Sequence, residues 1–343
     1  MPATLRDAPL ALRSVAVERF PVAGAFTISR GAKTFVDVVV CTVTDGVHIG
    51  RGEGTPIYYH GETAQGCAEA ITHITSSAEA FDRERLRAIM PPGAARNALD
   101  CALWDIEARR AGRPVWALAG LDEPQPLRTA YTISLDTPDA MAAAAARARG
   151  RGFTLLKCKL TGEGDESRIA AVRAGAPDAE LIVDANESWA AADLATRAGA
   201  LAGLGVSLIE QPLPAGRDGA LAGAALPVPV CADESCQSLA DLDRLADYQA
   251  INIKLDKAGG LTEGLAMARE ARRRGQRIMV GCMLASSLGI APAFLLAQQA
   301  DWVDLDGALL LAQDRDEPLI VEDGSLRWSA LWGAGAVIKS LPD

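Results

Sequence analysis

The feature that most narrows the folds open to this chain is a series of eight short apolar runs after residue 126, most of them closed by a polar residue. They cover residues 131–134, 155–159, 181–184, 208–210, 230–233, 251–254, 278–281 and 303–306, with Ala-rich stretches of helical period between them. Stepping along Lys159, Asp184, Glu210, Asp233, Lys254, Gly281 and Asp304 gives intervals of 25, 26, 23, 21, 27 and 23 residues, each the length of one β/α unit. Repeated units of this kind build a parallel sheet, because a parallel crossover needs a dozen or more residues. The spacing therefore predicts an α/β fold, a (β/α)7β TIM-type barrel over residues 126–314.

The first 125 residues have a different texture. Apolar residues alternate at Val15 and Val17 and at Val36, Val38 and Val40, and Asp45-Gly46 signals a hairpin, so an antiparallel sheet is predicted to about residue 60. From Thr63 to Leu118 the period becomes helical, with Gly112 and Pro114 marking a stop and a restart. This segment is an α+β domain. Gly52, Gly54 and the Gly259-Gly260 pair lack the spacing of a P-loop or a dinucleotide fingerprint and read as turn glycines.

Composition removes several function classes. The chain is 343 residues long with 49% apolar and 23% charged residues, which suits a large barrel plus a smaller domain rather than disorder. A net charge of −10, without a basic run longer than Arg272–Arg274, argues against nucleic acid. The uncharged stretch 278–300 is long enough to span a bilayer, but Gly281, Gly289 and Pro292 resolve it into a short strand, a loop and a buried helix. No membrane partner is expected. Seven cysteines, an odd number without a CxxC pair, fit reduced thiols in a cytoplasmic setting.

In a β/α barrel the C-terminal strand ends carry the active site. Asp184, Glu210 and Asp233 end three successive strands, so three carboxylates meet on one side of the barrel mouth. Bare anions would repel there, and an all-oxygen donor set calls for a hard cation such as Mg²⁺. Lys157 and Lys159 lie two apart on the second barrel strand and face one way, and Lys254 ends the sixth, diametrically opposite. The pattern predicts acid–base chemistry by Lys159 and Lys254 at a carbon next to a metal-held carboxylate, with Lys157 in support. A nearby cation such as Lys157, together with the metal itself, is expected to depress the pKa of the lysine base.

The stretches L-L-K-C-K-L at 155–160, L-I-V-D-A-N-E-S-W at 181–189, L-I-E-Q-P-L-P at 208–214, C-A-D-E-S at 231–235 and N-I-K-L-D-K-A-G-G-L-T-E at 252–263 resemble the enolase superfamily, in its muconate-cycloisomerase-like subgroup. The similarity extends to A-R-N-A-L-D-C-A-L-W-D at 95–105. It implies the metal and lysine roles just described. It also implies that the first domain caps the barrel with mobile loops near 27–34 and 55–62, and that a tail from about residue 315 packs back on it. V-D-L-D-G at 303–307 is similar to the Asp-x-Asp pair with which dipeptide epimerases hold a substrate ammonium group, which would make Asp304 and Asp306 substrate-binding. Lys33 or Arg30 on the first capping loop would meet a glutamate side chain.

The expectation is Mg²⁺-dependent, PLP-independent epimerisation of a dipeptide, an Ala-Glu dipeptide from cell-wall peptide recycling, with a homo-oligomer left open. An N-acylamino-acid racemase or o-succinylbenzoate synthase shares the same metal and lysines but has no ammonium group for Asp304 and Asp306. A non-catalytic metal-dependent binding protein on the same barrel has no need for opposed bases.

Overall fold

The computed structural model of the chain describes residues 9–28, 31–77 and 82–335. Its first domain opens with an antiparallel meander of β1 (Ala11–Ile28), β2 (Gly31–Thr44) and β3 (Ile49–Gly54). The β2–β3 turn forms where Asp45-Gly46 predicts it, with Asp45 Oδ1 accepting the N–H groups of Val47 (2.9 Å) and His48 (2.6 Å). From Val36 onward β2 is largely buried on both faces. Val36, Val38 and Val40 join the core shared with the barrel, while Val39, Cys41 and Val43 pack toward the domain's own helices.

Those helices are α1 (Ala64–Ser77), α2 (Arg83–Ile89), α3 (Ala94–Ala111) and α4 (Val115–Leu118). Gly112, at φ 58°, stops α3, and Pro114 caps α4. Helix α3 lies so close to β3 that a Cβ on Gly50, Gly52 or Gly54 would fall 2.2, 2.1 or 2.2 Å from the carbonyl oxygens of Ala102, Ala98 and Ala94. A two-residue step along a strand, roughly 6.6 Å, nearly equals a four-residue step along a helix, roughly 6 Å, so the three contacts stay in register. Gly52 and Gly54 are thus close-packing glycines and not the turn residues the sequence suggests. Gly259 and Gly260, at φ +82° and +118°, do form a turn.

The barrel consists of β5 (Tyr131–Ile133), β6 (Leu155–Lys159), β7 (Glu180–Asp184), β8 (Val206–Glu210), β9 (Val230–Ala232), β10 (Ala250–Lys254), β11 (Arg277–Gly281) and β12 (Trp302–Asp304), after a short β4 (Leu127–Arg128). These eight strands pair in parallel in sequence order, and the Ala130 N–H donates to the Val303 carbonyl (2.8 Å) to join the two ends. Helices α5 (Pro138–Gly150), α6 (Asp165–Gly175), α7 (Leu194–Gly203), α8 (Leu255–Ala258), α9 (Leu261–Arg273) and α10 (Ser287–Ala297) make crossovers. The links after β8 and β9 differ, carrying only 3-10 turns at Asp218–Leu221 and Leu239–Arg244. Pro212, Pro214, Gly216, Gly223, Pro227 and Pro229 deny the first of these links a longer helix.

The uncharged 278–300 stretch divides into β11, a loop and the buried α10, and no helix among the described residues is long and apolar enough to cross a membrane. Past the barrel, β13 (Ile320–Glu322) and β14 (Ser325–Arg327) pair with each other, and β14 also pairs with β4. The same segment reaches the first domain through Arg315, which contacts Glu53 (2.6 Å) and Glu18 (2.8 Å), and through Trp332 Nε1, which donates to the Arg51 carbonyl (2.9 Å).

Candidate active site

Side chains alternate across a strand, and the barrel interior follows from that alone. Ala130, Leu155, Ile182, Leu208, Cys231, Ala250, Met279 and Trp302, one residue from each strand or its edge, form an apolar cluster separate from the outer core. Two or four residues further on, still facing inward, come Thr132, Lys157, Lys159, Asp184, Glu210, Asp233, Asn252, Lys254 and Asp304.

The structure brings the three carboxylates together. One oxygen from each of Asp184, Glu210 and Asp233 lies within 4.8 Å of the others, and all three side chains are buried. Lys159 Nζ donates to Asp184 Oδ2 (2.6 Å) and Lys254 Nζ to Asp233 Oδ2 (2.7 Å), so each lysine meets the aspartate of the strand beside its own. Lys157 Nζ sits between Glu210 (2.6 Å), Asp304 (2.8 Å) and Asp184 (3.2 Å). Strands β6 and β10, which carry Lys159 and Lys254, are four apart in the closed order of eight and so stand opposite, with β7, β8 and β9 on the arc between.

Charge balance distinguishes the three acids. Burial raises the Asp184 carboxyl, but Lys159 and Lys157 outweigh it and hold it below its usual range. Asp233 is likewise lowered, with Lys254 and Lys257 overcoming burial. Glu210 goes the other way, to about 8, because burial and the Asp184 charge together exceed what Lys157 returns. A third negative charge is therefore poorly accommodated by the lysines alone, and a buried all-oxygen donor set of this kind fits a divalent cation. Lys254 is held in its charged form by the same carboxylates. Burial and Lys157 lower its ammonium, but Asp233, Glu210 and the other negative groups around it together raise it well above the ordinary lysine value.

Sequence reasoning missed several participants. Lys257 Nζ donates to Asp233 Oδ1 (2.6 Å) and to the Asp233 carbonyl (2.5 Å), and Asn252 Nδ2 donates to Glu210 Oε1 (2.7 Å). Both lie in the 252–263 stretch, where three-residue spacing from Lys254 is the signal that could have found Lys257. The 95–105 stretch acts further out. Asp100 accepts from the Thr262 N–H (3.0 Å) and hydroxyl (2.5 Å), and Arg96 donates to the carbonyls of Ala258 (2.6 Å) and Gly259 (3.1 Å), docking α3 on the segment after Lys254.

A cavity with about 970 Å³ of atom-free space, its mouth included, opens above the lysines. Lys157, Lys159, Asp233, Lys254, Asp304 and Asp306 form its barrel side, and Lys33, Tyr58 and Tyr59 come from the first domain. Lys33 Nζ lies 4.1 Å from the centre of the Tyr58 ring, and burial lowers its pKa. Arg30 lies outside the described residues. The segment expected as a first loop is strand from Gly31 onward. The second is pinned at its start, where the Thr55 N–H donates to Asp256 Oδ1 (2.8 Å) and its hydroxyl to the Leu284 carbonyl (3.0 Å). Asp304 Oδ1 is buried without a hydrogen-bond partner among the described residues. Asp306, expected on the last strand, lies two residues past the end of β12; it accepts the Thr132 N–H at Oδ2 (2.6 Å) and is raised to about 7 by burial and by Asp304.

Comparison with known proteins agrees with this architecture. Residues 10–120 match the mandelate racemase / muconate lactonizing enzyme N-terminal domain, and residues 140–341 match the enolase C-terminal domain-like family. The chain is 44% identical to the L-Ala-D/L-Glu epimerase of Escherichia coli, over 92% of this chain and 99% of that one. It is 41% identical to an N-acetyl-D-glutamate racemase from a Pseudoalteromonas species, over 86% and 95%. Among solved structures it is similar to an enolase family member from Agrobacterium tumefaciens with homology to dipeptide epimerases, holding sodium and L-Ala-L-Glu, at 50% identity, a TM-score of 0.91, and 95% and 100% coverage. With both of its halves matched and these relatives covered almost end to end, the chain belongs to the mandelate racemase/muconate lactonizing enzyme family of the enolase superfamily.

Proposed function

We propose that the protein epimerises a dipeptide, L-Ala-L-Glu foremost, by removing the α-proton next to the terminal carboxylate and returning one to the other face. The observation that carries this reading is the opposition of Lys159 and Lys254 on β6 and β10, with Asp184, Glu210 and Asp233 on the three strands between. Two bases on opposite sides of one carbon are what inversion requires. The carboxylates would hold Mg²⁺, which supplies a Lewis acid for the substrate carboxylate. Lys157, in contact with Asp184 and Glu210, holds their charge in place.

Asp304 and Asp306 at the cavity wall favour a dipeptide: an ammonium group between them would satisfy the partnerless buried Oδ1 of Asp304 and meet the Asp306 carboxylate. Lys33, beside Tyr58 at the cavity wall, suits the glutamate side chain. Seven free cysteines fit a reducing, cytoplasmic compartment. The second reading is racemisation of an N-acylamino acid, favoured by the similarity to the N-acetyl-D-glutamate racemase.

A screen of L,L-dipeptides and N-acetyl amino acids in deuterated solvent tests both readings. Mass gain and inversion with L-Ala-L-Glu at a higher kcat/KM than with N-acetylglutamate supports the dipeptide. The reverse order supports the N-acyl reading, and exchange with neither removes both.

A further inference from the structure

Gln211 follows the carboxylate Glu210 and is fully buried, with φ at 34°, a region that side chains other than glycine seldom adopt. Nothing in the local sequence asks for such a conformation. Strain of this kind persists where surrounding contacts over-determine it. Here the contacts reach all three carboxylate strands. The Gln211 carbonyl accepts the N–H of Glu187 (2.8 Å), three residues beyond Asp184. Its own N–H donates to the Cys231 carbonyl (2.9 Å), two residues before Asp233. Its side-chain Oε1 accepts the N–H groups of Asp233 (2.8 Å) and Ser235 (3.0 Å).

The other end of the amide is fixed as well. Nε2 donates toward the Leu213 carbonyl (2.8 Å) and Ser235 Oγ (2.9 Å), so the side chain must accept and donate from one planar group. A carboxylate could not donate, and a shorter amide could not reach. Glycine would relieve the backbone but lose every side-chain bond.

We infer that Gln211 is a positioning residue that sets the ends of β7, β8 and β9 so that Asp184, Glu210 and Asp233 converge on one cation. The inference rests on the metal reading given above. Gln211 does not touch the cavity; it acts through the Asp233 amide and through the backbone it shares with Glu210.

The test titrates Mn²⁺ into wild type, Gln211→Met, Gln211→Asn, Ser235→Ala and Asp184→Asn by calorimetry, with an EPR spectrum of the bound ion and the metal-free melting temperature of each. Gln211→Met keeps the volume and removes the bonds. Gln211→Asn tolerates the positive φ but withdraws the oxygen from the Asp233 N–H. Ser235→Ala weakens the Nε2 end and leaves both bonds to Oε1, so it reports stability loss without displacement of Asp233. The expected result is Mn²⁺ binding about tenfold weaker or worse in the folded Gln211 variants, with an altered EPR spectrum. Ser235→Ala should keep wild-type affinity and spectrum. The inference is overturned if the Gln211 variants bind like wild type, if Ser235→Ala loses as much affinity as they do, or if neither Gln211 variant folds. Failure of wild type to bind Mn²⁺, or equal binding by Asp184→Asn, overturns the metal reading and this inference with it. Asp184-dependent binding that is untouched in the Gln211 variants overturns this inference alone.

Discussion

Lys157 Nζ lies 2.8 Å from Asp304 Oδ2, so one buried ammonium links the carboxylates of β7 and β8 to the last strand of the barrel, passing β5. Asp304 therefore answers to two partners: Lys157 now, and a substrate ammonium on the proposed reading. Asp306 has no such tie, its contact being the Thr132 amide.

This asymmetry makes Asp306→Asn the cleaner test of the dipeptide reading. An ammonium–carboxylate contact is worth roughly 1.5–3 kcal/mol, about one to two decades in kcat/KM. Asp306→Asn should lose that much for L-Ala-L-Glu and far less for its N-acetylated analogue, with little change in Tm. Asp304→Asn should show the same selective loss plus a further loss common to both substrates, because Lys157 is deprived of a partner. Equal losses on both substrates in Asp306→Asn would favour the N-acyl reading.

Chelation should abolish turnover and Mg²⁺ should restore it, because the Asp184, Glu210 and Asp233 oxygens stand within 4.8 Å of one another in a buried site. Asp184→Asn, Glu210→Gln and Asp233→Asn should each behave like the chelated protein in a steady-state assay. Full activity after dialysis against EDTA would remove the cation from the proposal.

Lys159→Ala and Lys254→Ala should each stop epimerisation and yet retain opposite exchange specificities. Each variant keeps the lysine on one face of the α-carbon, so NMR in deuterated solvent should show exchange of one epimer by one variant and of the other epimer by the other. Two variants with the same preference would contradict bases on opposed strands.

Asp45 gives a pH dependence away from the site. Burial raises its carboxyl, but the His48 and Val47 N–H groups and Arg110 outweigh this and hold it well below 3.8. A depressed carboxylate contributes stability above its unfolded pKa and loses it as pH falls. Asp45→Asn should therefore melt lower than wild type at pH 7, and thermal scans should show the gap closing below about pH 4.

Gly52→Ala should cost about 3 kcal/mol or more, since its Cβ would meet the Ala98 carbonyl at 2.1 Å and backbone cannot yield as a side chain does. Denaturant unfolding measures it. A loss within about 0.5 kcal/mol would contradict the close contact of α3 with β3.

The barrel was legible in the sequence because its evidence is local and repeats. Each strand shows as a short apolar run, and a period of two places Lys157, Lys159, Asp184 and Glu210 on the inner face once the eight runs close. Opposition of Lys159 and Lys254 follows from counting strands. What the sequence could not carry is contact between segments far apart along the chain. Gly52 and Gly54 look like turn residues until α3 is seen lying on β3, and an amide such as Gln211 looks incidental until Asp233 and Ser235 are found at its oxygen. The raised pKa of Lys254 likewise depends on the Asp233 carboxylate standing 2.7 Å from its Nζ. Periodicity decides which way a side chain faces; only closure of the barrel, with the first domain and the tail packed against it, decides what that side chain touches.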